Sequence, residues 1–317
     1  MQFSASKRRF VQSVFRNVEL ILRLQSGIAI LEKISIKAPA KINLYLEVLR
    51  KRDDGFHEIE SLMQAIDLYD EITLEKSDKI ELTVSDPSLP ADNTNLAYRA
   101  AEVLQNHFPI PGVKIDLTKN IPMGAGLGGG SSDAAFVLRG LCHLYDLHPS
   151  FNELTGIASG LGSDVPFFLS NGQALIKGRG EIFEPVNLPI NYKIVLLSPP
   201  LAISTAQVYS NIKIGLTTKR IGPLLTREID FEGLLRLANH FRNDLEEVVL
   251  ENYPNLLDLK RSLLGSGAFY SSMTGSGSSF FGLFIPGPKS FGELENLKER
   301  GIRYFLCRPI LLPPYGR

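Results

Sequence analysis

The chain has 317 residues, of which 44% are hydrophobic and 21% are charged, a composition typical of a globular protein with one large domain or two. Its 34 basic and 34 acidic residues balance, so no broad basic field favours nucleic acid as a partner. The two cysteines, Cys142 and Cys307, form no C-x-x-C pattern, which argues against a disulfide framework or a zinc site and for a reducing, cytoplasmic compartment. No apolar run approaches the roughly 18–20 residues that span a bilayer.

Residues 1–30 depart from this neutral background. Five basic residues face a single acid, Glu19: Lys7, Arg8, Arg9, Arg16 and Arg23. Apolar residues recur at helical spacing at Phe10, Val14, Val18 and Ile21, so the pattern predicts a basic amphipathic helix. We expect a solvated extension or a start site placed upstream; an organelle-targeting peptide or a membrane-surface helix is the alternative.

Alternation with period two begins at residue 34 and predicts strands over residues 34–48. Residues 50–55 form a charged turn that ends in Gly55, and further strands are expected over 70–75, 79–84 and 113–117. Residues 86–95 are rich in Pro, Asp and Asn and predict a loop. A helix is expected from Leu96, capped by Thr94 or Asn93.

The later elements mix helices and strands without regular β-α-β alternation. Helices are expected over residues 133–147, from the capping box at 150–153, in a short turn from Pro166, and over 243–251 and 254–264. Strands are expected over 192–197 and 280–285, with the phenylalanines of the latter in the core. This order predicts an α+β fold and not a doubly wound parallel sheet.

A glycine- and serine-rich run between a predicted strand and a predicted helix carries the strongest functional signal. Glycines allow the backbone to approach a ligand closely, successive N–H groups form an anion nest, and the following helix N-terminus adds free N–H groups. Serine hydroxyls can contact phosphate or Mg²⁺. The run suits a triphosphate and consists of Pro122, Met123, Gly124, Ala125, Gly126, Leu127, Gly128, Gly129, Gly130, Ser131 and Ser132.

Three other interpretations compete with a triphosphate loop. Residues 124–129 satisfy G-x-G-x-x-G, but a dinucleotide site also needs an early β-α-β unit and an acidic residue after a second parallel strand. A Walker A loop needs a Gly-Lys-Ser/Thr sequence, and no lysine follows these glycines. A flexible glycine turn accounts poorly for five glycines next to a well-formed helix, because ordering them is costly.

Residues 122–135 resemble the phosphate loop of the GHMP kinases, which include galactokinase, homoserine kinase and mevalonate kinase. Four more segments, 38–44, 54–58, 161–169 and 273–278, are similar to those GHMP kinases that phosphorylate a cytidine-diphosphate-linked methylerythritol in non-mevalonate isoprenoid synthesis. The resemblance covers about residues 34–310, in order and at the expected spacing.

The resemblance implies a two-domain α+β fold with the active site in the cleft between the domains. Residues 1–33 would be an extension, 34–180 the N-terminal domain and 181–317 the C-terminal domain. It implies transfer of the γ-phosphoryl group of ATP to the 2-hydroxyl of the methylerythritol moiety, with Mg²⁺. We expect a cytoplasmic monomer or weak homodimer without a membrane span and without a nucleic-acid partner.

Matching positions imply roles for individual residues. Lys41 and Asp164 match the catalytic positions. Three residues fall near the adenine pocket: Asn95, Leu96 and Lys119. The substrate positions are Asn43, Phe56, His57, Thr205 and Tyr209. Mg²⁺ would be held by phosphates, water and the hydroxyl of Ser131 or Ser132.

Three departures from the family pattern leave the catalytic groups in place: Phe56 for the usual tyrosine, Ser163 for alanine and Thr274 for serine. The second small-residue loop, 274–278, is expected to form a lid or wall of the cleft, with a tight turn as the alternative. Two other functions stay open, another GHMP kinase of the homoserine or mevalonate type and a non-catalytic sensor of the same fold.

Overall fold

Two β-sheets organise the computed structural model, which describes residues 19–25, 28–212, 221, 229–287, 291–313 and 315. The first sheet has the order β1-β2-β3-β5-β4, and β6 pairs with both β3 and β7. All of its neighbouring strands are antiparallel except the β4–β5 pair. Its strands are β1 (Glu19–Gln25), β2 (Ile28–Lys51), β3 (His57–Ser77), β4 (Glu81–Val84), β5 (Gly112–Thr118), β6 (Gln173–Gly178) and β7 (Ile182–Pro185).

Three helices and a short 3₁₀ turn accompany the first sheet: α1 (Leu96–His107), α2 (Gly129–Leu144), α3 (Phe151–Leu161) and the turn Pro166–Leu169. Helix α2 lies directly on β2 and β3. A Cβ on Gly140 would stand 2.4 Å from Cδ1 of Leu74 and 2.9 Å from Cδ1 of Ile36. Glycine at this position therefore lets the helix approach the sheet, and the apolar residues between them form one buried cluster.

The second sheet is antiparallel, in the order β11-β8-β10-β9. Its strands are β8 (Lys193–Ser198), β9 (Tyr270–Met273), β10 (Phe280–Phe284) and β11 (Arg303–Cys307). Its helical segments are α4 (Thr205–Ser210), α5 (Phe231–Ala238), α6 (Asp244–Asn252), α7 (Leu257–Gly265) and α8 (Gly292–Glu295), with 3₁₀ turns at Pro254–Leu256 and Asn296–Arg300. The phenylalanines of β10 are buried, as expected.

Most of the predicted elements are confirmed, including the capping box, in which Ser150 Oγ accepts a hydrogen bond from the backbone N–H of Glu153. The helix expected over the first 30 residues is wrong where the structure describes it. Glu19–Gln25 is a strand paired with β2, because pairing with an existing strand edge outweighs a short helical periodicity. The rest of that predicted helix, residues 1–18, lies outside the described residues.

The predicted cap of α1 also needs correction. Asn95, and not Thr94 or Asn93, is the N-cap residue, and its Oδ1 accepts a hydrogen bond of 3.0 Å from the N–H of Ala97. Thr94 instead turns toward Asp92, to which its Oγ1 donates a hydrogen bond of 2.6 Å. No helix in the described part of the chain is long and apolar enough to cross a membrane.

Candidate active site

A cavity of about 1020 Å³ opens between the two sheets. It is lined by both predicted catalytic residues and by all the predicted substrate and adenine-pocket residues. The glycine run lines it too, except for Ser132. Ser132 is fully buried and is not among the residues that form the cavity wall. Because α2 begins at Gly129, four residues before the expected start at residue 133, both serines lie in its first turn, with Ser131 on the cavity wall and Ser132 in the core.

The glycine run forms a tight loop whose backbone requires glycine. Gly126 and Gly128 have φ values of 78° and 70°, in the left-handed region that favours glycine. A Cβ on Gly126 would stand 2.0 Å from the carbonyl oxygen of Thr274. Gly128 is the N-cap residue of α2 and has no side chain, so the first N–H groups of the helix stay available to an anion.

The second glycine loop, between β9 and β10, packs directly against the first. Thr274 Oγ1 donates to the carbonyl oxygen of Gly126 at 3.2 Å, and the N–H of Ser279 donates to that of Ala125 at 3.3 Å. Gly275 and Ser276 line the cavity. The second loop therefore forms a wall of the cleft and also holds the first loop in place.

Lys41 extends from the middle of β2 to the point where the two loops meet. Its backbone N–H donates to the carbonyl oxygen of Leu127 at 3.0 Å. A Cβ on Gly128 would stand 3.1 Å from its Cε, and one on Gly275 would stand 3.4 Å from its Nζ. Lys41 is only 3% exposed, although its position in a strand pattern would ordinarily indicate a solvent-facing lysine.

Two groups hold the Lys41 ammonium. Its Nζ donates to Oδ1 of Asn43 at 2.6 Å and lies 3.4 Å from Oδ2 of Asp164. Asp164 precedes the 3₁₀ turn that begins at Pro166, and its side chain is 32% exposed toward the cavity. A buried cation thus faces a partly exposed carboxylate, an arrangement that can neutralise one reactant while accepting a proton from another.

Asn43, expected to hold the substrate, is 1% exposed and bonded on every side. Its Nδ2 donates to Ser61 Oγ at 2.8 Å, and its backbone N–H donates to Thr274 Oγ1 at 3.0 Å. These bonds orient the amide so that its oxygen accepts from Lys41. Asn43 lines the cavity, and its contact with a substrate stays a prediction.

Three aromatic residues line the far end of the cavity. The rings of His57 and Tyr209 lie 5.2 Å apart between centroids, with an interplanar angle of 33°. Phe56 is 54% exposed, and the guanidinium of Arg179 lies 4.7 Å from the centre of its ring. The side chain that departs from the family pattern therefore still presents a flat ring, with a cation against one face.

The environment shifts two ionisable groups at this end. Burial, followed by the ammonium of Lys51, lowers the pKa of His57 below its usual range, so the imidazole is neutral at pH 7. Burial and then the carboxylate of Asp164 raise the pKa of Tyr209. The charge of Asp164, in the catalytic centre, therefore acts on Tyr209 at the aromatic end of the cavity.

The remaining predicted residues lie at different parts of the cavity wall: Thr205, Leu96 and Asn95. Thr205, the first residue of α4, bonds Ser276 of the second loop, with 2.7 Å between the hydroxyl oxygens. Leu96 lies beside the phosphate loop, 3.7 Å from the Cβ position of Gly130. The side-chain amide of Asn95 is used within its own loop, where Nδ2 donates to the carbonyl oxygen of Pro90 at 2.9 Å.

Lys119 lines the cavity, and its contact with adenine stays a prediction. Its side chain is 7% exposed and bonded to the carboxylates of Asp70 and Asp133 beneath the phosphate loop. Sequence reasoning missed both carboxylates. Asp133 stands in the loop motif itself and could have been found there, whereas nothing in the local sequence singles out Asp70 or the cavity-lining Arg179.

Few side chains at the described site could ligate a metal ion directly. The described part of the chain holds no cluster of three His, Cys, Asp or Glu side chains suited to a metal ion. Ser131 offers one hydroxyl oxygen at the cavity wall. Mg²⁺ prefers hard oxygen ligands and readily takes most of them from phosphates and water, so this site fits a metal that enters with a nucleotide.

Comparisons with known proteins agree with this geometry. Residues 95–172 match the family model described as GHMP kinases N terminal domain, and residues 224–305 match GHMP kinases C terminal. A glycine loop at a helix N-terminus, a buried lysine and a facing carboxylate, in this two-domain α+β fold, define an ATP-dependent small-molecule kinase.

Similar proteins identify the family within this class of kinases. The chain is 42% identical over 282 residues to 4-diphosphocytidyl-2-C-methyl-D-erythritol kinase of Clostridium botulinum strain Loch Maree, covering 86% of this chain and 99% of that one. It is 42% identical over 266 residues to the kinase of the same name from Prosthecochloris aestuarii, covering 80% and 90%. The chain belongs to the family of 4-diphosphocytidyl-2-C-methyl-D-erythritol kinases.

Solved structures give the same result. The crystal structure of a 4-(cytidine 5'-diphospho)-2C-methyl-D-erythritol kinase is 34% identical, covers 87% of this chain and 99% of that one, and superposes with a TM-score of 0.71. A homoserine kinase from Cytophaga hutchinsonii superposes with a TM-score of 0.69 at 20% identity, covering 93% and 99%. The second likeness shows the shared fold alone.

Proposed function

We propose that this kinase transfers the γ-phosphoryl group of ATP to the 2-hydroxyl of 4-diphosphocytidyl-2-C-methyl-D-erythritol, a step in the formation of isoprenoid precursors. The observation that carries the proposal is the pair Lys41–Asp164, which lies 3.4 Å apart where both glycine loops meet. The glycine loop and a group of aromatic side chains line the same cavity as this pair.

The phosphate loop supports the nucleotide end of this proposal. The first residues of α2 line the cavity, and no side chain caps their N–H groups. A helix N-terminus favours negative charge. Leu96 and the loop before α1 line the same end of the cavity. The triphosphate would lie along the loop, with adenine toward α1.

Asp164 and Lys41 divide the chemistry between them. The oxygen of the substrate hydroxyl attacks the γ-phosphorus, the bond from that phosphorus to the β,γ-bridging oxygen breaks, and the hydroxyl proton passes to the Asp164 carboxylate. Lys41 neutralises charge on the transferring group and, held by Asn43, keeps Asp164 directed at the hydroxyl. Positioning and charge neutralisation are what phosphoryl transfer mainly requires.

Mg²⁺ would be held mainly by the phosphates and water, with the hydroxyl of Ser131 as its candidate protein ligand. When bound, such an ion would neutralise negative charge on the phosphates. The buried Ser132 is a poorer candidate than Ser131 because its hydroxyl does not reach the cavity wall.

The aromatic end of the cavity supports the choice of a cytidine-containing substrate. Phe56 and Tyr209 offer flat apolar surfaces for a pyrimidine ring. A neutral imidazole has one donor and one acceptor nitrogen, and His57 can therefore donate to or accept from one group on the cytosine edge. Homoserine and mevalonate have no ring to occupy these side chains.

The experiment that tests this function measures ATP consumption with three alcohols, namely the cytidyl substrate, homoserine and mevalonate. We expect turnover of the cytidyl substrate with a kcat/KM at least about 10³-fold above the other two, because unpaired buried polar groups penalise an analogue that cannot fill them. Turnover of homoserine or mevalonate in its place would reject the substrate assignment while leaving the kinase class intact.

The cellular setting is a separate part of the proposal. We expect the enzyme to act in the cytoplasm as a monomer or weak homodimer on a small molecule, without a nucleic-acid partner. Both cysteines are free and buried, in keeping with a reducing compartment.

A further inference from the structure

A buried ion cluster lies beneath the phosphate loop and is not needed by the chemistry described so far. It consists of Asp70 at the middle of β3, Lys119 just after β5 and Asp133 on α2. Their side chains are 0%, 7% and 3% exposed. Lys119 Nζ donates to Oδ2 of Asp133 at 2.6 Å and also to Oδ2 of Asp70. Three elements distant in the sequence therefore converge on one ammonium group.

The cluster holds the segment that enters the phosphate loop. Oδ1 of Asp70 accepts hydrogen bonds from the backbone N–H groups of Asn120, at 2.6 Å, and Ile121, at 2.9 Å. These are the two residues immediately before Pro122, where the glycine run begins. Asp70 thus binds the backbone of the entry segment with one oxygen and Lys119 with the other.

The cluster also holds the segment that leaves the loop. A Cβ on Gly129, the first residue of α2, would stand 3.3 Å from Lys119 Nζ and 3.4 Å from Oδ2 of Asp70. One turn later, Asp133 bonds the same ammonium. The start of the helix whose N–H groups face the cavity therefore rests on the cluster.

We propose that Asp70, Lys119 and Asp133 are positioning residues for ATP, which set the separation between the entry and exit of the phosphate loop. The inference rests on the proposed function, because it assumes that the loop binds the triphosphate. It reassigns Lys119 from a contact in the adenine pocket to a support beneath the loop. Because the cluster bonds the entry segment of the loop and the start of α2, its loss would weaken ATP binding and leave the second substrate nearly unaffected.

The decisive variant is Lys119→Gln, which leaves two carboxylates facing each other at the base of the loop. We expect the KM and the Kd for ATP to rise at least about tenfold, because the variant loses the ammonium that joins Asp70 to Asp133 and so holds the two ends of the loop together. The KM for the alcohol should change less than about twofold. ATP binding measured by calorimetry, without the alcohol, separates this result from a failure of the proposed substrate.

Lys33→Gln is the matched control. It removes another lysine of the same sheet, whose Nζ lies 3.2 Å from Oε2 of Glu75 at the far end of β2 and β3. We expect its melting temperature to change slightly and both KM values to stay as in the wild type. An ATP Kd for Lys119→Gln within twofold of the wild type would overturn the proposal, as would an equal rise in both KM values.

Two variants of Asp133 give a second readout. Asp133→Ala removes the oxygen that accepts from Lys119, whereas Asp133→Asn retains one. We expect the Kd for ATP to rise at least about fivefold in Asp133→Ala and to stay within about twofold of the wild type in Asp133→Asn, because only the first variant loses the bond to the ammonium. The KM for the alcohol should stay nearly unchanged in both.

The asparagine retains an oxygen that can accept from Lys119, and so it should keep the fold if Lys119→Gln does not. Equal Kd values for ATP in the two Asp133 variants would contradict the role of Asp133.

Discussion

At the scale of single residues, the active site depends on a lysine and a carboxylate whose environments differ. Lys41 is almost fully buried, whereas the Asp164 side chain is one-third exposed. A buried ammonium is costly unless it is paired and hydrogen-bonded, and here Asn43 and Asp164 supply both kinds of partner. The arrangement leaves a carboxylate oxygen of Asp164 open to the cavity for an incoming hydroxyl group.

Asp164→Asn tests this division of roles. The amide keeps the shape of the side chain but cannot take a proton, so we expect kcat to fall at least about 10²-fold while both ligands still bind. Single-turnover kinetics and calorimetry measure the two quantities. Asp258→Asn, at an exposed ion pair on α7, is the control and should be unaffected; near-normal turnover of Asp164→Asn would refute the assigned role.

At the scale of elements, the site depends on the two glycine loops and on α6, whose N-cap residue contacts the second loop. Asn243, the N-cap residue of α6, accepts from the N–H of Leu245 at 3.0 Å. Its Nδ2 donates to the carbonyl oxygens of Met273 and Gly275, both at 2.8 Å. One amide therefore caps a helix and also fixes the second loop against the first.

Gly126→Ala probes the contact between the loops. The new Cβ would overlap the carbonyl oxygen of Thr274, at 2.0 Å, in a backbone with φ 78°, so we expect a loss of about 1–3 kcal/mol in stability and a weaker affinity for ATP. Gly160→Ala, on α3 with nothing within 4 Å of its Cβ, is the matched control and should be neutral or stabilising by up to about 1 kcal/mol. Thermal melts and nucleotide titration check both variants, and equal behaviour would contradict the packing argument.

Asn243→Ala probes the second loop. It removes a helix cap, at about 1 kcal/mol, and leaves two buried carbonyl oxygens without a donor, at about 1–3 kcal/mol. We expect the free energy of unfolding to fall by about 2–4 kcal/mol and kcat to fall with it. Asn239→Ala, an exposed residue at the end of α5 with long bonds of 3.3–3.4 Å, should change stability by less than about 0.5 kcal/mol; denaturant unfolding compares them.

At the scale of the whole molecule, the chain returns from the second sheet to the first before it ends. Pro309 pairs with Ile66 of β3, and the N–H of Leu312 donates to the carbonyl oxygen of Asn171 at 2.8 Å. The fully buried Arg139 of α2 donates to the carbonyl oxygen of Pro313 at 2.6 Å. The domain limits at residues 33 and 180 stay a prediction, and these contacts connect the two halves across them.

The buried cluster under the phosphate loop has a consequence for the stability of the whole fold. The unfolded Asp133 loses its proton near its ordinary pKa of about 3.9, while the folded group keeps it until about 7. Between these values the native state binds more protons, so the contribution of Asp133 to stability falls as pH rises and levels off above pH 7. The lowered pKa of His143, about 4, acts in the opposite direction in both proteins. Denaturant unfolding should therefore show that the stability of the wild type relative to Asp133→Asn falls by on the order of a few kcal/mol between pH 4 and 7. Parallel curves would disprove the linkage.

Features that depend only on neighbouring residues could be predicted from local patterns in the sequence. The glycine run at a helix start, the capping box at Ser150 and the alternation in β2 were all predicted, because periodicity, capping and left-handed glycines act within a few residues. The resemblance of whole segments then indicated the family. It also placed Lys41, His57 and Asp164 at one site before any distance between them was known.

The tertiary structure decided what depends on distant partners. It buried Lys41 between two loops, turned Ser131 and not Ser132 toward the cavity, and brought Asp70 beneath the loop that Lys119 and Asp133 support. It also made Glu19–Gln25 a strand. Burial and ion pairing arise when elements far apart in the chain pack together, and no local pattern records which side chains will share a low-dielectric site.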